Sequence, residues 1–250
     1  MSSCCLRGFH WGGQPVGRET TVNGQSCYVT GSSADVAIIV IHDLYGWTFS
    51  NTRLLADHYA AEVDATVYVP DFFGGAVLSP ALIDNPAEWG KLDLPGFMER
   101  NSKAVRFPEM ASFATYLRTQ HACIGAVGFC YGGWAAFQLG GKQEDGQAPL
   151  VDCITAAHPT FLTEDEMRNV GVPAQILAPE VDPMFTAELK AYAVNEIPKV
   201  GVPFSYQYFP GLSHGFAIRG NREDVAETKG LERGMRAVVA WFREWLVHGQ

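Results

Sequence analysis

Short apolar segments alternate with longer amphipathic segments along most of this chain, and this alternation restricts the possible folds. Val36–Ile41 is apolar at every position, which is typical of a strand buried on both faces of a sheet. Amphipathic segments of helical period follow it, and further strands are expected at 65–69, 123–127, 152–156, 174–177 and 205–209. Strands that alternate with helices predict an α/β fold, in which a mainly parallel sheet carries helices on both faces.

Proline and capping residues predict where several of these elements begin and end. Asn51 is expected to cap a helix that runs to Val63, because its side-chain oxygen can accept from an exposed backbone amide. Pro70 is expected to end the strand at 65–69. Pro108 is expected to open a helix, since the first helical position needs no amide hydrogen. An apolar stripe of helical spacing predicts a final helix over 222–247.

One segment, residues 72–107, interrupts the alternation. It is rich in glycine and proline, and it is longer than the connections that compact domains ordinarily use. We interpret it as a lid or excursion over a pocket, and a surface loop is the alternative. Because no linker divides the chain, residues 1–250 are expected to form a single domain.

Charge and hydropathy exclude several classes of partner. The formal net charge is −9 and no basic stripe is visible, so no nucleic-acid partner is expected. No apolar stretch reaches the roughly 20 residues that span a bilayer, so no membrane association is expected. Met1–Gly13 has no apolar core of the kind found in secretory signals, which favours a cytoplasmic protein.

The six cysteines contain no CxxC pair, so a zinc ribbon or a thioredoxin-type site is not indicated. A reducing compartment with cysteine thiols is the simplest interpretation. The adjacent Cys4 and Cys5 suggest lipid attachment only weakly, and a plain, frayed terminus is favoured. Cys123 and Cys153 fall inside predicted strands and are interpreted as core residues.

The strongest chemical signal is the segment Gly128-Phe129-Cys130-Tyr131-Gly132, which lies between a predicted strand and a predicted helix. It has the pattern of the nucleophile elbow G-x-S-x-G, with cysteine in the serine position. Such a turn lifts the nucleophile above the sheet, the helix N-terminus favours a thiolate, and the amide of Tyr131 can donate to an oxyanion. A buried structural cysteine beside a glycine turn is the alternative.

Two further polar residues follow later strands of the predicted sheet. Asp182 comes after the strand at 174–177, and His214 lies in a glycine-bounded loop after the strand at 205–209. The order nucleophile, acid, histidine is that of the α/β-hydrolase fold, so Cys130, Asp182 and His214 are predicted to form a catalytic triad. The remaining histidines show no ligand spacing, and neither a metal nor another cofactor is expected.

Four segments together resemble the dienelactone hydrolases: residues 41–46, 70–73, 128–133 and 213–216. The cysteine-rich start and His158-Pro159 resemble the eukaryotic, particularly the fungal, branch of that family. The resemblance extends from about Val36 to Phe242. It implies a hydrolase that cleaves lactones or other activated carboxylic esters through a Cys-His-Asp triad. It also implies that the amides of Leu44 and Tyr131 form the oxyanion hole.

The resemblance also suggests residues for substrate binding or activation. Asp43 stands where bacterial members carry a glutamate that helps to deprotonate the thiol, and its charge would disfavour a resting thiolate. Arg219 lies near the place of an arginine that holds a substrate carboxylate. An aromatic or polyketide-type ester, lactone or thioester is as plausible a substrate, because other candidate pocket residues are mostly aromatic: Tyr45, Trp47, His158 and Phe216.

Two other classes of function compete with a hydrolase. A non-catalytic member of the fold would bind a small molecule or a partner, and it would ordinarily lack a triad residue. A redox-sensing protein would need a resolving cysteine near Cys130, and Cys123 and Cys153 are poor candidates because they are expected inside strands. The expected ligand is a small-molecule ester, lactone or thioester, and the chain is expected to be a monomer or a homodimer.

Overall fold

A mixed sheet forms the centre of the molecule. The structure is a computed structural model and describes residues 3–78, 80–143 and 146–247. The strands are β1 (Arg18–Val22), β2 (Gln25–Thr30), β3 (Val36–Ile41), β4 (Thr66–Pro70), β5 (Cys123–Phe129), β6 (Cys153–Ala157), β7 (Ala174–Val181) and β8 (Phe204–Ser213).

The strand order is β1-β2-β4-β3-β5-β6-β7-β8. β1 and β2 pair antiparallel, as do β2 and β4, whereas all neighbours from β4 to β8 run parallel. The predicted mainly parallel α/β sheet is therefore confirmed. The carboxyl ends of β3, β5, β6, β7 and β8 meet at one edge of the sheet, which is where such folds place their functional loops.

Helices cover both faces of the sheet. They are α1 (Ser50–Val63), α2 (Pro80–Ile83), α3 (Leu94–Arg100), α4 (Lys103–Arg118), α5 (Gly132–Leu139), α6 (Glu164–Arg168), α7 (Ala187–Val200), α8 (Phe216–Arg219) and α9 (Val225–Phe242). Short 3-10 turns occupy Ser3–Cys5 and Pro86–Lys91, and a π turn at Arg243–Val247 continues α9. No helix among these residues is long and apolar enough to cross a bilayer.

The sheet separates two hydrophobic cores. Phe113 and Trp134 pack on one face, and Val127 and Phe242 pack on the other. β3 is buried along its whole length because its alternate side chains enter the two cores in turn. All six positions of β3 are therefore apolar because both faces of the strand are buried, as the sequence pattern predicted.

Two predicted boundaries, those at Asn51 and Pro108, are wrong. Asn51 does not cap α1, since Phe49 holds that position. The buried Asn51 side chain instead accepts from the Trp11 amide at 2.9 Å and donates to the Phe9 carbonyl at 2.8 Å. Pro108 lies inside α4 rather than at its start. Pro70 is the last residue of β4, so the prediction that it ends this strand is confirmed.

The hairpin of β1 and β2 was not predicted. Its turn is Asn23-Gly24, and both residues have positive φ values, 48° and 78°. Asn-Gly is the favoured pair for a two-residue hairpin turn, so the signal was present in the sequence. The polar, exposed β1 masked it, because a strand with few apolar residues lacks a hydrophobic pattern.

The segment 72–107 contains short helical elements rather than an open loop. Phe73 and Phe97 are buried and meet edge to face, with ring centroids 5.0 Å apart. The Trp89 indole donates to the Ile83 carbonyl at 2.9 Å. These contacts attach the excursion to the core near the carboxyl edge of the sheet.

Candidate active site

Cys130 sits on a strained turn between β5 and α5. Its φ is 50°, a left-handed value that residues with a side chain rarely adopt. Its amide donates to the Ala157 carbonyl at 3.1 Å, and its carbonyl accepts from Gly133 at 3.0 Å and from Thr160 at 2.8 Å. These three bonds hold the backbone and fix the direction of the thiol.

Two glycines make this turn possible. A Cβ atom at Gly128 would meet the Gly132 carbonyl, and a Cβ at Gly132 would meet the Ile41 carbonyl of the neighbouring strand. Each clash is with backbone, which cannot move aside cheaply. The glycines therefore allow β5 to pass closely under α5, as the elbow pattern predicted.

His214 and Asp182 form a buried pair at the ends of β8 and β7. The imidazole Nδ1 lies 2.9 and 3.0 Å from the two carboxylate oxygens of Asp182. Oδ1 of this carboxylate also accepts from the amides of Met184 and Phe185, at 2.9 and 3.0 Å. Asp182 thereby fixes the orientation of the ring, and Nε2 is the nitrogen left to act on a thiol.

The environment of Cys130 favours its thiolate. Burial alone would raise the pKa of this thiol. A hydrogen bond from Cys5, the charge and hydrogen bond of His214, and the charge of Arg219 outweigh burial and hold the pKa well below its usual value.

The interaction with Cys130 shifts the pKa of His214 in the opposite direction, upward. Burial favours the neutral ring, but the Cys130 thiolate and the hydrogen bond to Asp182 dominate and raise the pKa of His214 to about 10. Cys130 and His214 are therefore expected to rest as a thiolate and an imidazolium. Such an ion pair is chemically able to attack an acyl carbon and then to protonate a leaving group.

A second buried ion pair lies beside the first. Asp43 Oδ2 is 2.5 Å from Arg219 Nε, and the contact is an ion pair without hydrogen-bond alignment. Asp43 Oδ1 accepts from the Tyr45 amide at 2.9 Å and thus also caps the turn after β3. Burial raises the pKa of Asp43, and the Arg219 charge opposes that rise.

Of the other residues predicted from the sequence, some lie near Cys130 and one does not. Leu44 follows Asp43 after β3, and Tyr131 occupies the N-cap position of α5, so both belong to the carboxyl edge of the sheet. The Tyr45 hydroxyl donates to the Leu6 carbonyl at 2.9 Å. Trp47 instead lies against Arg53, 5.0 Å from its guanidinium, and is not brought into this group of described residues.

His158 was predicted to line the pocket, and it lies directly behind His214. Its ring centroid is 4.9 Å from that of His214 and 5.8 Å from that of Phe216. Both ring nitrogens are buried and lack a hydrogen-bond partner among the described residues. Burial, with the charges of His214 and Arg219, holds the pKa of His158 well below its usual value, so the ring is neutral.

Two contacts of the site were not predicted from the sequence. The Thr160 hydroxyl lies 3.4 Å from Cys130 Sγ. Cys5 Sγ lies 3.7 Å from His214 Nε2 and is completely buried, so the expectation of a frayed terminus is wrong. No periodic pattern links Cys5 to His214, which is 209 residues away, so only the folded chain reveals the contact.

Cys4, Cys5 and His214 also form a cluster with metal-ligating atoms. Their ligand atoms all lie within 4.8 Å of one another. The spacing of the histidines had indicated no such cluster, and the cysteines that complete it come from the N-terminus. Thiolates and imidazole suit a soft cation or zinc, but a cation here would occupy Nε2, the nitrogen that Asp182 leaves free to act on a thiol.

A cavity of about 670 Å³ opens beside the elbow. Tyr131 forms part of its wall next to Cys130, and Met98 contributes from the segment 72–107. Leu162, Met184 and Leu189 make the lining largely apolar, with Lys103 as its cationic member. The excursion thus walls a cavity near the candidate nucleophile.

A mainly parallel sheet with a thiol on its strand-to-helix elbow, and an acid and a histidine after later strands, defines an α/β-hydrolase. The chain belongs to the dienelactone hydrolase family, whose model matches residues 26–246. It is a carboxylic ester hydrolase, as the family and the named relatives establish.

Similar proteins cover nearly the whole chain. The hydrolase tropI of Talaromyces stipitatus is 27% identical over 98% of this chain and 96% of its own length. The human carboxymethylenebutenolidase homolog is 30% identical over 92% of each chain. Among solved structures, a putative dienelactone hydrolase from Klebsiella pneumoniae has a TM-score of 0.68 at 14% identity, covering 92% of this chain and 99% of that one. This last likeness supports the fold alone.

Proposed function

We propose that the protein hydrolyses a lactone or another activated carboxylic ester through Cys130 as nucleophile. The observation that carries this proposal is the alignment at one sheet edge of Cys130, held at a φ of 50°, with a histidine whose Nδ1 is fixed by Asp182. This arrangement combines an oriented thiolate with an oriented proton carrier, which is what acyl transfer to a thiol needs.

The reaction follows from these positions. The Cys130 thiolate attacks the acyl carbon, and the amides of Leu44 and Tyr131 stabilise the oxyanion; one such donor contributes about 3–4 kcal/mol in a comparable site. The imidazolium of His214 gives its proton to the leaving alkoxide. The neutral ring then takes a proton from water, which hydrolyses the thioester and restores the ion pair.

The cavity favours an apolar acyl group. Met98, Leu162 and Met184 offer hydrocarbon and thioether surface, whereas a small anionic lactone would need cationic partners in the cavity wall. Lys103 is the cation of the wall, and its ammonium group is paired with Glu166 at 2.6 Å. Arg219 lies outside the wall and is buried against Asp43. An aromatic or polyketide-type ester, lactone or thioester on the same triad is therefore the second candidate.

The proposal is tested with Cys130→Ala and a panel of lactones, aryl esters and acyl thioesters. Alanine fits the turn without a clash, so circular dichroism should be unchanged while hydrolysis is abolished. Mass spectrometry of the unsubstituted chain mixed with an aryl ester should detect an acyl adduct on Cys130. Turnover by the alanine variant at the unsubstituted rate would refute the assignment.

A further inference from the structure

The N-terminal segment lies across the candidate active site. Cys5 is completely buried, as is Cys130, and Cys5 Sγ reaches to 3.7 Å from His214 Nε2. The same imidazole also interacts with the Cys130 thiolate through its charge and a hydrogen bond. Two completely buried thiols thus lie beside one imidazole ring.

Backbone contacts hold the segment in this position. The Tyr45 hydroxyl donates to the Leu6 carbonyl at 2.9 Å, and the Arg219 guanidinium donates to the Arg7 carbonyl. The Phe9 amide donates to the Arg219 carbonyl at 3.1 Å. Since these anchors lie in the turn after β3 and at the end of α8, the segment is attached to the site itself.

We propose that Cys5 and Cys130 form a reversible disulfide that switches the enzyme off under oxidising conditions. The proposal goes beyond ester hydrolysis, and it rests on the proposed function only in taking Cys130 as the reactive thiolate. In this proposal Cys5 is the resolving cysteine. Cys123 and Cys153 cannot take that role, because they lie at the starts of β5 and β6.

The chemistry balances with a peroxide as oxidant. The Cys130 thiolate attacks one peroxide oxygen, the O–O bond breaks, and a sulfenic acid and hydroxide result. Cys5 then loses its proton and attacks the Cys130 sulfur, which forms the S–S bond and expels the hydroxyl group as water. A dithiol reductant returns two electrons and two protons by thiol–disulfide exchange.

The two thiols occupy different places in the fold. Cys130 lies on the elbow after β5, where the N-terminus of α5 stabilises a thiolate. Cys5 lies on the N-terminal segment, with its Sγ 3.7 Å from His214 Nε2 and 3.9 Å from Cys4 Sγ. Cys130 is therefore the thiol that reacts with the oxidant, and Cys5 is the thiol that attacks the resulting sulfenic acid.

A disulfide here would have two effects. It would remove the nucleophile and keep the N-terminal segment over the site, so hydrolysis would stop. It would also divert the sulfenic acid from further, irreversible oxidation. Reduction would restore the original enzyme.

The test treats the reduced full-length protein with hydrogen peroxide and maps peptides without reduction. We expect a linked peptide pair containing Cys5 and Cys130, with loss of hydrolysis that dithiothreitol reverses. Cys5→Ser should lose activity without recovery and should accumulate sulfinic acid on Cys130. Cys4→Ser is the matched control, and it should form the same linked pair as the unsubstituted chain.

Three results would overturn the proposal: a Cys4–Cys5 link in place of the Cys5–Cys130 link, no link at all, or full recovery of oxidised Cys5→Ser. The peptide link is read without any substrate. If the chain forms the Cys5–Cys130 link but hydrolyses no ester, the proposed function is refuted and the disulfide proposal stands. If the chain hydrolyses esters but forms no link, the disulfide proposal is refuted and the proposed function stands.

Discussion

Arg219 Nε lies 2.5 Å from Asp43 Oδ2, and both side chains are fully buried beside Cys130. A carboxylate alone at this place would disfavour a resting thiolate, as the sequence suggested for Asp43. The guanidinium offsets that charge and itself favours the thiolate. The neighbourhood of Cys130 therefore contains two coupled ion pairs, Cys130 with His214 and Asp43 with Arg219.

Asp43→Asn is expected to lower the free energy of unfolding by about 3–5 kcal/mol, because it leaves the buried Arg219 charge unpaired. The freed guanidinium should lower the pKa of Cys130 further, so alkylation by iodoacetamide should persist to more acidic pH. Turnover should fall, since a less basic thiolate is a weaker nucleophile.

Urea unfolding and pH-dependent alkylation measure these effects. Asp93→Asn is the matched control, because Asp93 pairs with Arg100 at the surface and asparagine can keep its helix cap. Asp93→Asn should lower the free energy of unfolding by less than about 1 kcal/mol. If both variants lose the same free energy of unfolding and the alkylation of Cys130 is unchanged, Asp43 only caps its turn.

The pH dependence of cysteine alkylation should report the ion pair. Because the pKa of Cys130 lies well below its usual value, its alkylation rate should rise with pH in the acid range and be level at neutral pH. Burial raises the pKa of Cys27 to about 12, so Cys27 should not react in this range and serves as the internal control. Mass spectrometry resolves the two sites.

His214→Asn should move the alkylation midpoint of Cys130 upward, toward that of an ordinary thiol. The variant removes the imidazolium charge and its hydrogen bond, which are two of the causes that lower the pKa. An unchanged midpoint in this variant would mean that Cys130 does not depend on His214 for its ionisation.

Gly132→Ala should destabilise the protein by about 1–3 kcal/mol and abolish hydrolysis, because the added Cβ meets the Ile41 carbonyl and displaces the elbow. Gly90→Ala is the control, since a Cβ at Gly90 has no neighbour within 4 Å. Thermal unfolding and steady-state rates measure both changes. A fully active Gly132→Ala variant would contradict the close packing of β3 against α5.

A chelator is expected to leave hydrolysis unchanged, because the proposed steps use only Cys130, His214, Asp182 and backbone amides. Added zinc should inhibit, since the cluster of Cys4, Cys5 and His214 can bind it through Nε2. Cys4→Ser should weaken this inhibition. Loss of activity with chelator, restored by zinc, would show instead that a metal takes part in the reaction.

The sequence predicted those parts of the site that follow from the order of strands. Cys130, Asp182 and His214 each come at or near the end of a strand, and parallel strands bring their ends to one edge, so order along the chain sufficed. The elbow glycines could be predicted for the same reason, because their spacing encodes a local backbone geometry.

Contacts without a local pattern could not be predicted. Cys5 approaches His214 only because Asn51 and Arg219 hold the N-terminal segment through backbone groups, and such bonds leave no periodic signature. Thr160 meets Cys130 through the loop after β6 for a similar reason. The misplaced boundary at Pro108 has another cause, since tertiary packing of α4 outweighs the local preference of proline.

The cavity wall and the thiol belong to different parts of the chain. Met98 and Lys103 come from the helices before β5, and Leu162 and Met184 come from the loops after β6 and β7, whereas Cys130 is fixed by the sheet itself. Mutations can therefore accumulate in the wall without disturbing the elbow. Exchange of these loop residues would change which acyl groups fit the cavity and would leave the elbow in place.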